Sequence, residues 1–273
     1  MDKNNIFYKS SVAVVKVVVL AILAYYFVEL FFVSSAIQLA IGLFILVFIT
    51  LPTIFIIFFK QKWNARHPRF AKWWKVLRIF YAIIVILFIG STIFGIWHLN
   101  QLAKTQKAID FINSKKITLD DVMGKNLPTI PDQKINDSSI AGIDANNNYI
   151  RDDVELAIFK KYPNSAKIRA AELQYAQALQ LELTQVFDSP TLVAVLQKEG
   201  LAYQCLGAAV LDKSKTMSEI SAIIGEKDKE INNLAINTDL RAQNQQDIYK
   251  KYMTSYMSSS GNECDIELTS LPN

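Results

Sequence analysis

The chain has 273 residues, 51% of them hydrophobic, and a formal net charge of +4. The charge is unevenly divided, because residues 1–98 hold 10 basic and 2 acidic side chains whereas residues 99–273 hold 19 basic and 23 acidic ones. The acidic second part therefore lacks the basic patch that a nucleic-acid-binding domain needs. We expect no nucleic acid among the partners of this protein.

Long apolar segments dominate the first 98 residues. Only Lys16 and Glu29 are charged between residues 12 and 59, and the segment 79–97 carries no charge. Since about 20 helical residues cross a bilayer core, this pattern predicts transmembrane helices at 11–33, 36–59 and 78–98, with the lipid bilayer as a partner. A cleaved signal peptide is the alternative at the N-terminus, although the apolar run is longer than the core of such a peptide.

The charges between the predicted spans indicate their orientation. The loop 60–77 contains six basic residues and no acidic one, which favours a cytoplasmic position under the positive-inside rule. The N-terminus then lies in the cytoplasm as well, and the third span carries the chain outward. The predicted location is the bacterial inner membrane, with the C-terminal domain in the periplasm.

The remainder of the chain shows helical spacing and no strand pattern. Residues 99–141 predict a juxtamembrane helix followed by a linker rich in Pro, Asn and Ser. Beyond it, capping side chains at Ser165, Asp188, Thr216 and Thr238 predict the starts of four long helices. The predicted fold class is a membrane all-α protein, in which 1–98 form the anchor and 142–273 form an extracytoplasmic bundle of four or five helices.

Both cysteines, Cys205 and Cys264, lie in the part predicted to be outside the cytoplasm. An even number of cysteines in an oxidising compartment favours a disulfide. Two buried free thiols are the alternative. The disulfide would connect the C-terminal tail to a central helix.

The run "GIDANNNYIRDDVE", residues 142–155, places oxygen-bearing side chains at regular intervals. A twelve-residue calcium loop uses positions 1, 3, 5, 7, 9 and 12, which here are Asp144, Asn146, Asn148, Ile150 (through its carbonyl), Asp152 and Glu155. Tyr149 occupies position 6, where glycine is usual because the chain turns there through positive φ. We expect calcium as a weakly bound cofactor; a polar Asn/Asp turn at the start of a helix is the alternative.

This run resembles the calcium loops of thrombospondin type-3 repeats and other EF-hand-like bacterial loops. Ile150 directly after position 6, with no predicted helix before Asp144, fits the thrombospondin-like variant better than a true EF-hand. The longer stretch Ile140 to Leu179 also looks like a family of uncharacterised membrane-anchored bacterial envelope proteins. The resemblance implies an envelope location and a calcium-type loop, but no reaction.

The functional prediction is a non-enzymatic inner-membrane protein that presents a calcium-tuned periplasmic helical domain to a protein partner. An envelope accessory factor, a sensor and a toxin-immunity protein all fit this description. The alternative is a membrane-anchored hydrolase acting on cell-wall or lipid substrates through carboxylates. Its candidate residues are Glu172, Glu182 and Glu199, which lie on or near predicted helices.

Overall fold

The computed structural model describes residues 74–211, 214–258 and 261–272. The chain divides into two compact units, Met1–Trp97 and His98–Asn273. In the described residues the regular structure is helical: α1 Trp74–Ser114, α2 Leu119–Met123, α3 Gln133–Asp137, α4 Asp152–Lys161, α5 Ala166–Gln185, α6 Ser189–Val210, α7 Met217–Ala235, α8 Asp239–Tyr252 and a 3₁₀ turn Leu268–Ser270. The all-α prediction is confirmed.

The membrane part of the fold-class prediction is wrong for the residues that the structure describes. No helix among them combines the length and the apolar character of a membrane span. The segment 78–98 lies within the single 41-residue helix α1, which does not meet this description. The later turns of α1 are polar and bury Ile112 in the second unit. The predicted spans 11–33 and 36–59, and most of the loop 60–77, lie outside the described residues.

The long helices of the second unit begin at the predicted capping residues. The side chains of Ser165, Thr216 and Thr238 each accept the N–H three residues later. Asp188 and Thr191 form a reciprocal capping box, and Pro190 occupies the first turn of α6. Each cap satisfies an N–H that has no partner within the helix, so these helix starts are determined locally.

Helix α5 forms the centre of the second unit. It packs against α4, α6, α7 and α8, and 16 of its 20 residues are buried. Neighbouring segments therefore enclose nearly the whole of α5. Its alanines, including Ala170, Ala171, Ala176 and Ala178, allow the neighbouring helices to approach closely. Its buried polar residues Glu172, Gln174, Gln177, Gln180 and Glu182 must therefore find partners inside the domain.

The expected linker is a packed part of the domain. It contains α3, and Asn136 in that helix has no exposed surface. The guanidinium of Arg241, also fully buried, donates to the carbonyls of Asn136 (2.6 Å), Ile140 (3.1 Å) and Ser139 (3.1 Å). Arg151 similarly donates to the carbonyls of Ala235 (2.8 Å) and Leu234 (2.6 Å). Two buried arginines thus tie the irregular segment to α7 and α8.

The predicted disulfide between Cys205 and Cys264 is confirmed. It joins α6 to the C-terminal segment 261–272 across a sequence separation of 59 residues, with the two Cα atoms 4.9 Å apart. The same segment is also bound to α5, since the Gln174 side chain donates to the Glu263 carbonyl and accepts the Asp265 N–H, both at 2.9 Å. The tail is therefore a fixed wall of the helical domain.

Candidate functional site

The loop 144–150 is organised by the first of the predicted ligand residues. The Asp144 carboxylate accepts the N–H groups of Asn148 (3.2 Å) and Tyr149 (2.9 Å). Asn148 Oδ1 accepts the Ile150 N–H at 2.9 Å, and the Asn148 carbonyl accepts a hydrogen bond from Gln177 of α5 at 2.8 Å. Ile150 has no exposed surface. These contacts close the loop around its own backbone and attach it to the central helix.

The chain turns through positive φ at Tyr149, as expected for position 6 of the predicted loop. Its φ is 63°, and that of Asn147 is 58°. This conformation costs a non-glycine residue about 1–2 kcal/mol. The Tyr149 ring offsets part of that cost, because it packs edge-on against Phe111 with centroids 5.2 Å apart and lies 4.1 Å from the Lys115 ammonium.

The other predicted ligand side chains also bond within the loop region. Asp152 Oδ1 accepts the Ala145 N–H at 3.0 Å. Asn146 Nδ2 donates to Glu155 Oε2 at 3.0 Å and to the Asn126 carbonyl at 3.1 Å. Burial raises the pKa of Asp144 and of Asp152, and it raises the pKa of Glu155 to about 7. The predicted residues are thus brought together, but mainly as acceptors for N–H groups.

The prediction that these residues form a calcium-binding group is corrected by the structure. Residues 74–211, 214–258 and 261–272 contain no group of three or more His, Cys, Asp or Glu side chains that could hold a metal ion. The physical reason is that the carboxylates of Asp144, Asp152 and Glu155 are engaged by hydrogen bonds of the loop. These contacts do not test calcium as a cofactor, which stays a prediction from the sequence.

Glu172, a candidate catalytic carboxylate, forms a buried ion pair. Its Oε1 atom lies 3.0 Å from Lys227 Nζ, and the same ammonium donates to Tyr162 Oη at 2.7 Å. Burial raises the pKa of Glu172, and the charge of Lys227 partly offsets this. Because Glu172 has 1% of its surface exposed, it joins α5 to α7 instead of facing a substrate.

The other two candidates, Glu182 on α5 and Glu199 on α6, meet inside the domain. Burial is the largest cause that raises the pKa of both groups, and the Glu182 carboxylate raises that of Glu199 further. Gln245 of α8 donates to Glu182 Oε2 at 3.1 Å. The Oε1 atoms of both residues are buried with no hydrogen-bond partner in the described structure. Burial and mutual contact therefore favour the protonated form of this carboxyl pair more than they would in exposed glutamic acids.

An open cleft lies between the end of α1, the helix α6 and the residues that follow α8. Its apolar half is a cavity of about 340 Å³ lined by Ile109, Pro190, Val193 and Ala194, with Thr254. Its basic half is a cavity of about 350 Å³ lined by Lys116, Lys198, Asn262 and Asp265. Asn113 and Gln197 line both halves, so the two adjoin each other. We call this feature the cleft.

Sequence reasoning did not identify the cleft. Its residues come from helix ends and from the C-terminal segment, which are far apart in the chain and carry no motif. The available signal was the disulfide, because it places residues near Cys264 beside α6. That constraint alone does not determine which side chains line a cavity.

Comparison of the chain with protein-family models, curated proteins and solved structures finds no match. The resemblance of residues 144–155 to thrombospondin-type calcium loops therefore stays a prediction.

Proposed function

We propose that residues 98–273 form a non-enzymatic protein-interaction domain of an oxidising compartment, the periplasm, and that the cleft binds a segment of a partner protein. The observation that carries this proposal is that an apolar cavity adjoins a basic one and shares the wall residues Asn113 and Gln197 with it. The disulfide supports the compartment, since such bonds persist where the environment is oxidising.

The occupant that fits the cleft is an extended peptide segment with an apolar side chain followed by an acidic group. The apolar half removes the apolar side chain of the peptide from water, which stabilises the complex in proportion to the apolar area buried. The basic half complements the acidic group of the peptide, because Lys116 and Lys198 contribute two positive charges against the single carboxylate of Asp265. Charge complementarity of this kind selects partners and speeds their association.

The buried carboxylates favour this function over the alternative of a hydrolase. A carboxylate-dependent hydrolase needs both acids to face a space that substrate can enter. Glu182 has no exposed surface, and Glu172 is ion-paired with Lys227 inside the domain. Their positions between packed helices are those of structural polar groups.

Selection of displayed peptides on the purified full-length chain tests this proposal. Enriched peptides are then measured by fluorescence anisotropy against Val193→Arg, which places a charge in the apolar half. Tyr203→Arg is the matched control, because Tyr203 is 43% exposed on the same helix and does not line the cleft. We expect affinity at least tenfold weaker for Val193→Arg and unchanged for the control. The proposal is overturned if no peptide is enriched, or if both variants bind as the unaltered chain does.

A further inference from the structure

Lys198 is the least solvated cation of the basic half of the cleft. It lies on α6, and its Nζ atom donates to the backbone carbonyl of Lys115 just after α1. No carboxylate in the described residues forms an ion pair with it. An ammonium group has three N–H donors, so one carbonyl does not exhaust its capacity to donate.

We infer that Lys198 is a carboxylate receptor, and that the cleft selects a partner segment by one carboxylate placed against this ammonium while Lys116 attracts it from the rim. This assignment rests on the proposed function of the cleft and adds the chemistry of its ligand. The bond formed is a charge-assisted hydrogen bond, which is shorter and stronger than one between neutral groups.

The walls around Lys198 are held in place before any ligand binds. Gln174 fixes the segment at Glu263 and Asp265. Asp265 turns its Oδ2 atom to the Ile117 N–H, at 3.2 Å, and Gln197 Nε2 donates to the Met257 carbonyl at 2.9 Å. A site whose side chains are already ordered loses less conformational entropy on binding.

The charges around Lys198 agree with an anionic ligand. Burial lowers the pKa of Lys198, the Asp265 carboxylate offsets part of that effect, and Lys116 adds to the lowering. The ammonium is thus partly removed from water and lies near one carboxylate and one further cation. A second carboxylate at hydrogen-bonding distance would raise the Lys198 pKa.

The same carboxylate chemistry can come from an Asp or Glu side chain or from a free C-terminus. Two peptide arms distinguish them: an amidated C-terminus removes one source, and Gln or Asn in place of the acidic residue removes the other. The arm that weakens binding about tenfold or more identifies the source. Equal binding of the original peptide and of a peptide with both changes would overturn the inference.

A small-molecule arm makes the test independent of any selected peptide. Hexanoate carries a carboxylate on an alkyl chain that can enter the apolar half, and hexanamide is its uncharged counterpart. In NMR titrations of the ¹³C-lysine-labelled full-length chain, hexanoate should saturably shift the Lys198 Cε resonance and raise the Lys198 pKa, whereas hexanamide should do neither. Equal responses to both compounds would refute a carboxylate receptor.

The variants separate failure of this inference from failure of the proposed function. Lys198→Met should weaken the binding of an acidic peptide at least tenfold. Lys116→Met, at an exposed position, should weaken its binding less. Lys160→Met, exposed on α4, is the control. If Val193→Arg weakens binding but Lys198→Met does not, the cleft binds protein without a carboxylate receptor and the inference falls alone. If hexanoate binds at Lys198 and no peptide depends on Val193, the proposed function falls.

Discussion

Replacement of Arg241 by methionine is expected to destabilise the helical domain by about 3–5 kcal/mol, as removal of one partner from a buried charged network does. Arg241 lies in the first turn of α8 with no exposed surface. Methionine retains an unbranched apolar stem of comparable length but donates no hydrogen bond. The change therefore tests the guanidinium and not the volume of the side chain.

The magnitude follows from the acceptors that Arg241 satisfies. Three backbone carbonyls of the segment 136–140 receive its N–H groups, and the Asn237 and Asp137 side chains receive others. A hydrogen bond from a charged group contributes about 1.5–3 kcal/mol. Burial and the nearby charge of Arg151 both lower the Arg241 pKa, so these contributions cannot simply be added. Removal of one partner from a buried charged network typically costs about 3–5 kcal/mol, or roughly 10 °C in melting temperature for a domain of this size.

Urea denaturation followed by far-UV circular dichroism measures this difference at constant m-value. Lys250→Met is the matched control, because Lys250 is exposed on the same helix, and it should change the unfolding free energy by less than about 0.5 kcal/mol. Arg241→Lys, which keeps the charge but has fewer donors, should fall between the two. A cost below about 1 kcal/mol for Arg241→Met would refute the view that this arginine fixes the segment 136–140.

Three other predictions concern the carboxyl pair, the loop turn and the disulfide. The folded-state pKa of Glu199 lies well above its ordinary 4.5, so the unfolding free energy should fall as pH rises above about 5. Urea titrations from pH 5 to 8 should show a smaller fall for Glu199→Gln. An equal fall in both proteins would contradict a raised Glu199 pKa. Tyr149→Ala and Tyr149→Gly both lose the ring contacts, but only glycine adopts positive φ without strain. The glycine variant should therefore be more stable than the alanine variant by about 1 kcal/mol. Equal stabilities of the two variants would argue against backbone strain at this position. The free energy of unfolding of the Cys205→Ala/Cys264→Ala variant should be about 4 kcal/mol lower than that of the oxidised protein. A reductant should lower the urea midpoint of the unaltered chain but not that of the variant. A lower midpoint in both proteins would point to another cause.

The helix starts of the second unit were predictable from the sequence, because a cap acts within one turn. Thr216 and Glu219 form their reciprocal bonds between positions three residues apart, so no distant residue needs to be known. The disulfide was predictable for a related reason, since the chain offers only one pairing of its two cysteines.

Hydropathy predicted a membrane span at 78–98, whereas no helix of the described residues has the length and apolar character of one. The segment belongs to α1, which extends to Ser114 and includes polar turns. Composition likewise predicted a linker before residue 142, although Asn136 is fully buried beneath Arg241. An irregular segment can be buried when a distant side chain satisfies its carbonyls, and local sequence does not show that partner.

The amino-acid sequence by itself determined the helical class, the helix starts and the single disulfide, because each depends on neighbouring residues or on a unique pairing. The tertiary structure alone decided which polar groups meet. It placed Glu182 beside Glu199, satisfied the carbonyls of 136–140 with Arg241, and set Lys198 next to an apolar cavity. These pairings join residues from separate helices, and the packing around α5 determines the distances between them.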